Sequence, residues 1–233
     1  MTPPKNFLGS TILVITAHPD DESFSAAGAI AQNHEHGGKT FIICASHGER
    51  GMSHLKIPTT SNMLAATRKR ELHAAARFLH VSKTTLLKLP DGGISDHLSQ
   101  LLKKSLHIAR SVKPNYIMSF GPDGITGHRD HIAVGEVAKK VAHTLDIPLI
   151  CFALPPRIHR QALRWLRSRR AAGHYAENII FQKPTFRIPL NPAHKKKALS
   201  FHRSQIDGAD SFTGFPAYAV KELLKAEYFV INI

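Results

Sequence analysis

Residues 12–28, ILVITAHPDDESFSAAG, decide how the rest of the chain is read. Ile12 to Ile15 form a short continuous apolar run, which suits a strand buried on both faces better than one with a wet side. His18, Pro19, Asp20, Asp21 and Glu22 follow almost at once, and the chain then becomes a helix former. A core strand that ends in a histidine and three carboxylates raises a question of chemistry as well as of fold.

Working outward, the alternation repeats. Strand-like segments fall at 11–17, 40–46, 84–89, 115–120, 147–153, 178–181 and 227–232. Helix-like segments fall at 22–36, 63–80, 97–112, 130–145, 158–170, 193–205 and 217–225. Gly37-Gly38 ends the first helix and Pro114 precedes the fourth strand. Strand then helix, repeated, predicts an α/β chain: a Rossmann-like three-layer fold with a mostly parallel sheet and right-handed crossovers. Residues 1–233 read as a single domain, of which about 155–233 is a less regular C-terminal part.

Composition narrows the classes. Hydrophobic residues are 42% of the chain, enough for a sizeable core, and no apolar run approaches the length of a membrane span. The polar start, MTPPKNFLGS, lacks the pattern of a signal peptide, so a cytoplasmic location is expected. Cys44 and Cys151 sit in apolar strand-like stretches and read as small buried hydrophobes. Lys and Arg number 31 against 17 Asp and Glu, a formal charge of +14. Much of that excess lies in RIHRQALRWLRSRR (157–170) and HKKK (194–197), which read as solvated faces; no nucleic-acid motif accompanies them, and no specific nucleic-acid partner is expected.

In this fold class, ligands bind outside the carboxyl ends of the strands. The residues that follow the first four strands are AHPDDE, SHGERG, LPDGG and FGPDGITGHRDH, and all four stretches carry acids or histidines. A dinucleotide site would need a glycine-rich turn after the first strand. Asp20, Asp21 and Glu22 stand there instead and would repel a pyrophosphate. Metal binding fits better. His18 and Asp21 are three residues apart across a turn, and His128 and His131 three apart at a helix start. Two imidazoles, a carboxylate and an open position make the ligand set of a catalytic zinc site. With Asp20 and Asp130 there are six candidate donors.

AHPDDE at 17–22 with GHRDH at 127–131 resembles the LmbE/PIG-L family of zinc-dependent N-acetylglucosamine de-N-acetylases. GERG at 48–51, TRKRELHAAARFLHV with its R-x-x-E spacing, LPDGG and the H-x-S-Q element of KKALSFHRSQ extend the likeness to about residue 206. The resemblance implies roles. His18, Asp21 and His131 would hold one Zn2+ per chain, with iron or cobalt as other metals such a site takes. Asp20 would be general base and then proton donor to the leaving amine. His128, as an imidazolium, would stabilise the oxyanion. Arg68 would meet the sugar or its aglycone, and Asp130 would orient a histidine. Glu49, Asp91 and His202 are further residues expected near the rim, and Glu49 and Arg50, adjacent in the chain, could pair with each other. Arg129 departs from the proline usual in the family and leaves the ligand spacing intact.

The implied activity is removal of an N-acetyl group from a small N-acetylglucosamine conjugate. Two other classes stay open: a zinc hydrolase of the same fold acting on another amide or ester, and a non-catalytic binder using the basic patch. The excess positive charge suggests an acidic aglycone. A homo-oligomer is compatible with the sequence.

Overall fold

The structure is a computed structural model and describes residues 1–155, 158, 182–207, 212 and 217–232. Its strands are β1 (Thr11–Thr16), β2 (Lys39–Ser46), β3 (Lys83–Leu89), β4 (Tyr116–Phe120), β5 (Leu149–Ala153), β6 (Phe186–Pro189) and β7 (Ala226–Asn232). They form one sheet in the order β3-β2-β1-β4-β5-β7-β6. The first five are mutually parallel, and β7 runs antiparallel to both β5 and β6. The expected mostly parallel α/β sheet is therefore what the chain forms.

β1 lies mid-sheet, with Val14 in register with Ile42 on β2 and Met118 on β4. Ile12, Leu13, Val14 and Ile15 are each 1% exposed or less, although successive side chains point to opposite faces. Both faces of β1 are thus covered, and burying each such side chain contributes about 1.5–3 kcal/mol. The helices that follow the parallel strands are α2 (Ala27–Glu35), α3 (Ser61–Phe78), α4 (Leu98–Val112) and α5 (Arg129–Leu145). A short α1 (Asp21–Ser25) precedes α2, and α6 (Pro192–Leu199) and α7 (Ala217–Leu223) come late in the chain. Among the described residues no helix is long and apolar enough to cross a membrane. Both cysteines are free and buried.

Three expectations change. The helix read at 22–36 is two helices, broken at Ala26 (φ −142°, ψ 8°). The break gives α2 an N-terminus of its own, and Glu227 of β7 caps it by accepting from Gly28 N (3.0 Å) and Ala29 N (2.9 Å). The helix read at 193–205 stops at Leu199 and is followed by a single 3-10 turn, Arg203–Gln205. β6 was not anticipated: its alternating burial marks an outer strand, where Pro189 is tolerated. Apart from Ile158, the helix expected at 158–170 and the strand expected at 178–181 lie outside the described residues.

Candidate active site

The strand order changes direction at β1: the chain goes from β1 to β2 and β3 on one side, then crosses to β4 on the other. The carboxyl ends of β1 and β4 therefore border a crevice, the usual binding position in open α/β sheets. His18, Asp20 and Asp21 follow β1, and His128 and His131 follow β4.

Three donors converge there. His18 Nδ1 lies 3.3 Å from His131 Nε2, which lies 3.3 Å from Asp21 Oδ1; Asp21 Oδ2 is 3.9 Å from His18 Nδ1. Ligands of a tetrahedral zinc with bonds of about 2.0–2.1 Å stand about 3.3–3.4 Å apart, so the set fits such a cation closely. The far nitrogen of each ring is tied down. His18 Nε2 faces Asp91 Oδ1 (3.1 Å) and Asp130 Oδ2 (3.2 Å), both of which can only accept. His131 Nδ1 faces the Gly124 carbonyl at 3.1 Å, and Phe120 stacks on the ring with centroids 4.0 Å apart. Protons held on those far nitrogens leave a lone pair on each near one, the tautomers a cation needs. Asp21 Oδ2 is in turn held by the backbone N–H groups of Ala17 (3.0 Å) and His18 (2.8 Å).

The same crowding sets the ionisation. Burial alone would lower the His18 pKa, but Asp130, Asp91 and Asp21 raise it to about 10. Burial would raise that of Asp21, and His131 and His18 hold it well below the usual carboxylate range. A second trio, His18, His128 and Asp130, also lies close together. Asp130, however, already accepts from Gly92 N (2.7 Å), Ile94 N (3.2 Å) and His18 Nε2. It meets the His18 ring on the side away from the donor cluster. Asp91 does the same and accepts from Arg50 N (2.8 Å); burial opposes its ionisation, but His18 holds its carboxyl down to about 2.

Asp20 stands beside the cluster in an unusual backbone state, φ 122° and ψ −26°. Non-glycine residues rarely occupy such a region, which costs of order 1–3 kcal/mol. Two buried groups hold it there. Glu22 Oε2 accepts from Asp20 N (3.1 Å), and Arg68 Nη2 lies 3.3 Å from Asp20 Oδ2. Burial raises the Asp20 carboxyl to about 6, against the pull of Arg68, with the Asp21 charge adding to the rise. Such a carboxyl can change protonation near neutrality.

Arg68, expected at the substrate, lines the cavity over the donors, and its guanidinium is also tied to protein: besides Asp20 it donates to Gly48 O (3.0 Å) and Pro19 O (2.7 Å). It lies flat across the GERG loop, where a Cβ at Gly48 or Gly51 would overlap it. Glu49 does not pair with Arg50; it accepts from Asp91 N (2.9 Å) and so fixes the third-strand loop. His202 is buried away from the donor cluster, with Nε2 2.9 Å from Glu22 Oε1, and Ser23 Oγ donates to the same oxygen (2.6 Å). Burial would lower the His202 pKa, but Glu22 raises it, giving an ion pair behind Asp20. Ser204 of H-x-S-Q donates to Glu71 of R-x-x-E through its N–H (2.8 Å) and Oγ (2.6 Å). Two separate signatures thus join into one brace.

His128 caps α5: its Nδ1 accepts from Asp130 N at 3.2 Å. Burial and the neighbouring histidines lower its pKa to about 4. Both features favour the neutral ring over the imidazolium that the resemblance implies. Arg129 is the exposed first residue of α5, a position that suits proline and tolerates other residues, and it takes no part in the site. The sequence reading missed Glu22, counted there only for its charge, and Lys195, read as part of a solvated run. Lys195 is 2% exposed and donates to Glu227 Oε1 (2.8 Å) and Phe24 O (2.6 Å).

Comparison with known proteins places this geometry among relatives. Over 207 residues the chain is 30% identical to a probable N-acetyl-alpha-D-glucosaminyl L-malate deacetylase 2 of Bacillus subtilis, covering 84% of each chain. Over 173 residues it is 27% identical to a 1D-myo-inositol 2-acetamido-2-deoxy-alpha-D-glucopyranoside deacetylase of Corynebacterium diphtheriae, covering 66% of this chain and 59% of that one. Its fold matches the N,N'-diacetylchitobiose deacetylase of Pyrococcus horikoshii with a TM-score of 0.68 at 21% identity, over 96% of this chain and 84% of that one. The family model for PIG-L, described as GlcNAc-PI de-N-acetylase, matches residues 13–142, and the chain belongs to that family.

Proposed function

We propose that this chain is a metal-dependent hydrolase that removes the N-acetyl group from a small conjugate containing N-acetylglucosamine. One observation carries the reading: two imidazole nitrogens and a carboxylate oxygen meet at tetrahedral spacing, with the half-buried carboxyl of Asp20 beside them. His18, Asp21 and His131 would hold one cation. A two-nitrogen, one-oxygen set suits zinc, and also iron or cobalt. When bound, the cation would polarise the amide carbonyl and acidify a water molecule.

The remaining steps belong to the protein. An amide is a poor electrophile with a poor leaving group, so hydrolysis needs a proton removed from the attacking water and returned to the departing nitrogen. Asp20, raised to about 6, is suited to both transfers. The His128 Nε2–H donates to the carbonyl oxygen as negative charge develops there. Arg68 and Glu22 hold Asp20 in place. The relatives named above, each called a deacetylase of an N-acetylated sugar, support the reaction class.

Metal analysis of the purified protein, with release of free amine from a panel of N-acetylglucosamine conjugates, tests the reading. One metal per chain and amine release are expected. A metal-loaded protein that releases no amine, yet hydrolyses p-nitrophenyl acetate, would move the assignment to another amide or ester.

A further inference from the structure

Asp20 carries the proton in the proposed reaction, and at φ 122° its backbone sits where a residue with a Cβ is rarely found. Strain of this kind persists only where surrounding contacts over-determine it. Two contacts hold Asp20, and both lead back to one late turn of the chain. Glu22 Oε2 accepts from Asp20 N, and the other oxygen of the same carboxylate, Oε1, meets His202 Nε2 at 2.9 Å. A carboxylate can only accept, so the ring donates from Nε2. On the other side, Arg68 faces the Asp20 carboxyl. Glu71, three residues further along α3 and so on the same face, accepts from Ser204 N (2.8 Å) and Ser204 Oγ (2.6 Å).

His202 precedes the 3-10 turn Arg203–Gln205 and Ser204 lies within it, so both relays start from one short piece of backbone. That piece also holds the loop after GERG: Ser204 O accepts from His54 N (2.9 Å), and Met52 O accepts from Gln205 Nε2 (3.3 Å). Glu22, His202 and Ser204 are each 1% exposed or less. Packing alone does not account for a histidine at this place. Its Nδ1 is buried with no hydrogen-bond partner among the described residues, a cost that an apolar side chain would not carry. What the imidazole supplies in return is the Nε2–H that meets Glu22.

We infer that His202 and Ser204 are positioning residues for the reaction: through Glu22 on one side and through Glu71 and α3 on the other, they keep Asp20 in its strained conformation beside the donor cluster. Neither touches the reacting atoms. The inference rests on the proposed reaction and assigns to the H-x-S-Q turn a share in its rate. The metal ligands have separate supports, in the N–H groups of Ala17 and His18, in Asp91 and Asp130, and in the Gly124 carbonyl. Loosening the relay should therefore move the base and leave the cation in place. A misplacement of about 1 Å can cost about a hundredfold in rate.

Folded, metal-loaded variants test it. His202→Leu is expected to keep its metal and a KM within about twofold of the parent while kcat falls at least about tenfold. His202→Gln, which keeps a donor for Glu22, should recover most of that loss. Parent kcat in His202→Leu, or an equal loss in His202→Gln, overturns the inference. Should His202→Leu not fold, Ser204→Ala, which loses the Oγ bond and keeps the N–H bond, makes the same comparison: a kcat loss of at least about threefold at unchanged metal content is expected, and parent kcat overturns the inference. Amide exchange adds a readout without turnover. In either variant the Asp20 N–H should speed up by at least about tenfold more than the amides of β1 do. If the parent releases no amine from any N-acetylglucosamine conjugate while the Asp20 amide still responds in this way, the proposed reaction fails and the positioning role stands. An Asp20 amide that speeds up no more than those of β1 overturns the positioning role, whatever the reaction.

Discussion

Replacing Arg68 by Met removes the one guanidinium beside Asp20. At 3.3 Å, two unit charges interact by about 5 kcal/mol at an effective dielectric of 20 and by about 1.3 kcal/mol in bulk water. An adjacent arginine typically lowers an aspartate pKa by about 1–3, so its removal should raise that of Asp20 by about one to two, from about 6. The sign follows from the role. A general base works ionised, and activity is lost as pH falls through its pKa. The acid limb of kcat/KM should therefore move upward by about one to two pH units, and at pH 7 protonation alone should cost roughly two- to tenfold. Arg68 also ties Gly48 and Pro19, so a pH-independent loss is expected as well, and the position of the limb is the diagnostic. Arg68→Lys, which keeps the charge and loses the fork, should leave the limb near its original position. The assay is kcat/KM from pH 5 to 10 at saturating metal. A limb that stays in place in Arg68→Met, with measurable turnover, would refute the electrostatic account of Asp20.

Other consequences follow from the same contacts. Glu22→Ala leaves His202 buried without its carboxylate and should cost about 3–5 kcal/mol of stability by denaturant unfolding; a loss under about 1 kcal/mol would show that the pair is not holding the turn. Lys195→Met should cost a similar amount because it strands Glu227, and adding Glu227→Gln should recover part of it, a coupling that a double-mutant cycle reads directly. Metal binding must displace protons, since His18 without a cation keeps its proton up to about 10. Apparent affinity should accordingly rise from pH 6 to pH 8 in a chelator competition, and an equal affinity at both would count against these ligands.

Much of this architecture was legible because it rests on short-range patterns. The apolar runs ILVI and FIIC announced buried parallel strands, and the acids placed after them announced the rim. The i, i+3 spacings of His18 with Asp21 and of His128 with His131 picked out residues that do converge. What stayed hidden depends on long-range contact. Lys195 looks like its neighbours Lys196 and Lys197 until β7 brings Glu227 beneath it. Glu22 looks like a helix-start acid until His202, 180 residues later, meets it in the core. The capping bond that His128 accepts from Asp130 N also stayed hidden, because it depends on the start of α5 and on no feature of composition. The break at Ala26 was likewise invisible, since the carboxylate that caps the second helix comes from the far end of the chain.

The central claim is that neighbouring aspartates have different jobs, Asp21 holding the cation and Asp20 moving the proton. Metal content and turnover, measured side by side for Asp20→Asn and Asp21→Asn, test it most directly. The account predicts that Asp20→Asn keeps its metal and loses at least about a hundredfold in kcat, while Asp21→Asn loses both. An Asp20→Asn protein that turns over at the parent rate, or an Asp21→Asn protein that stays fully metallated, would contradict it.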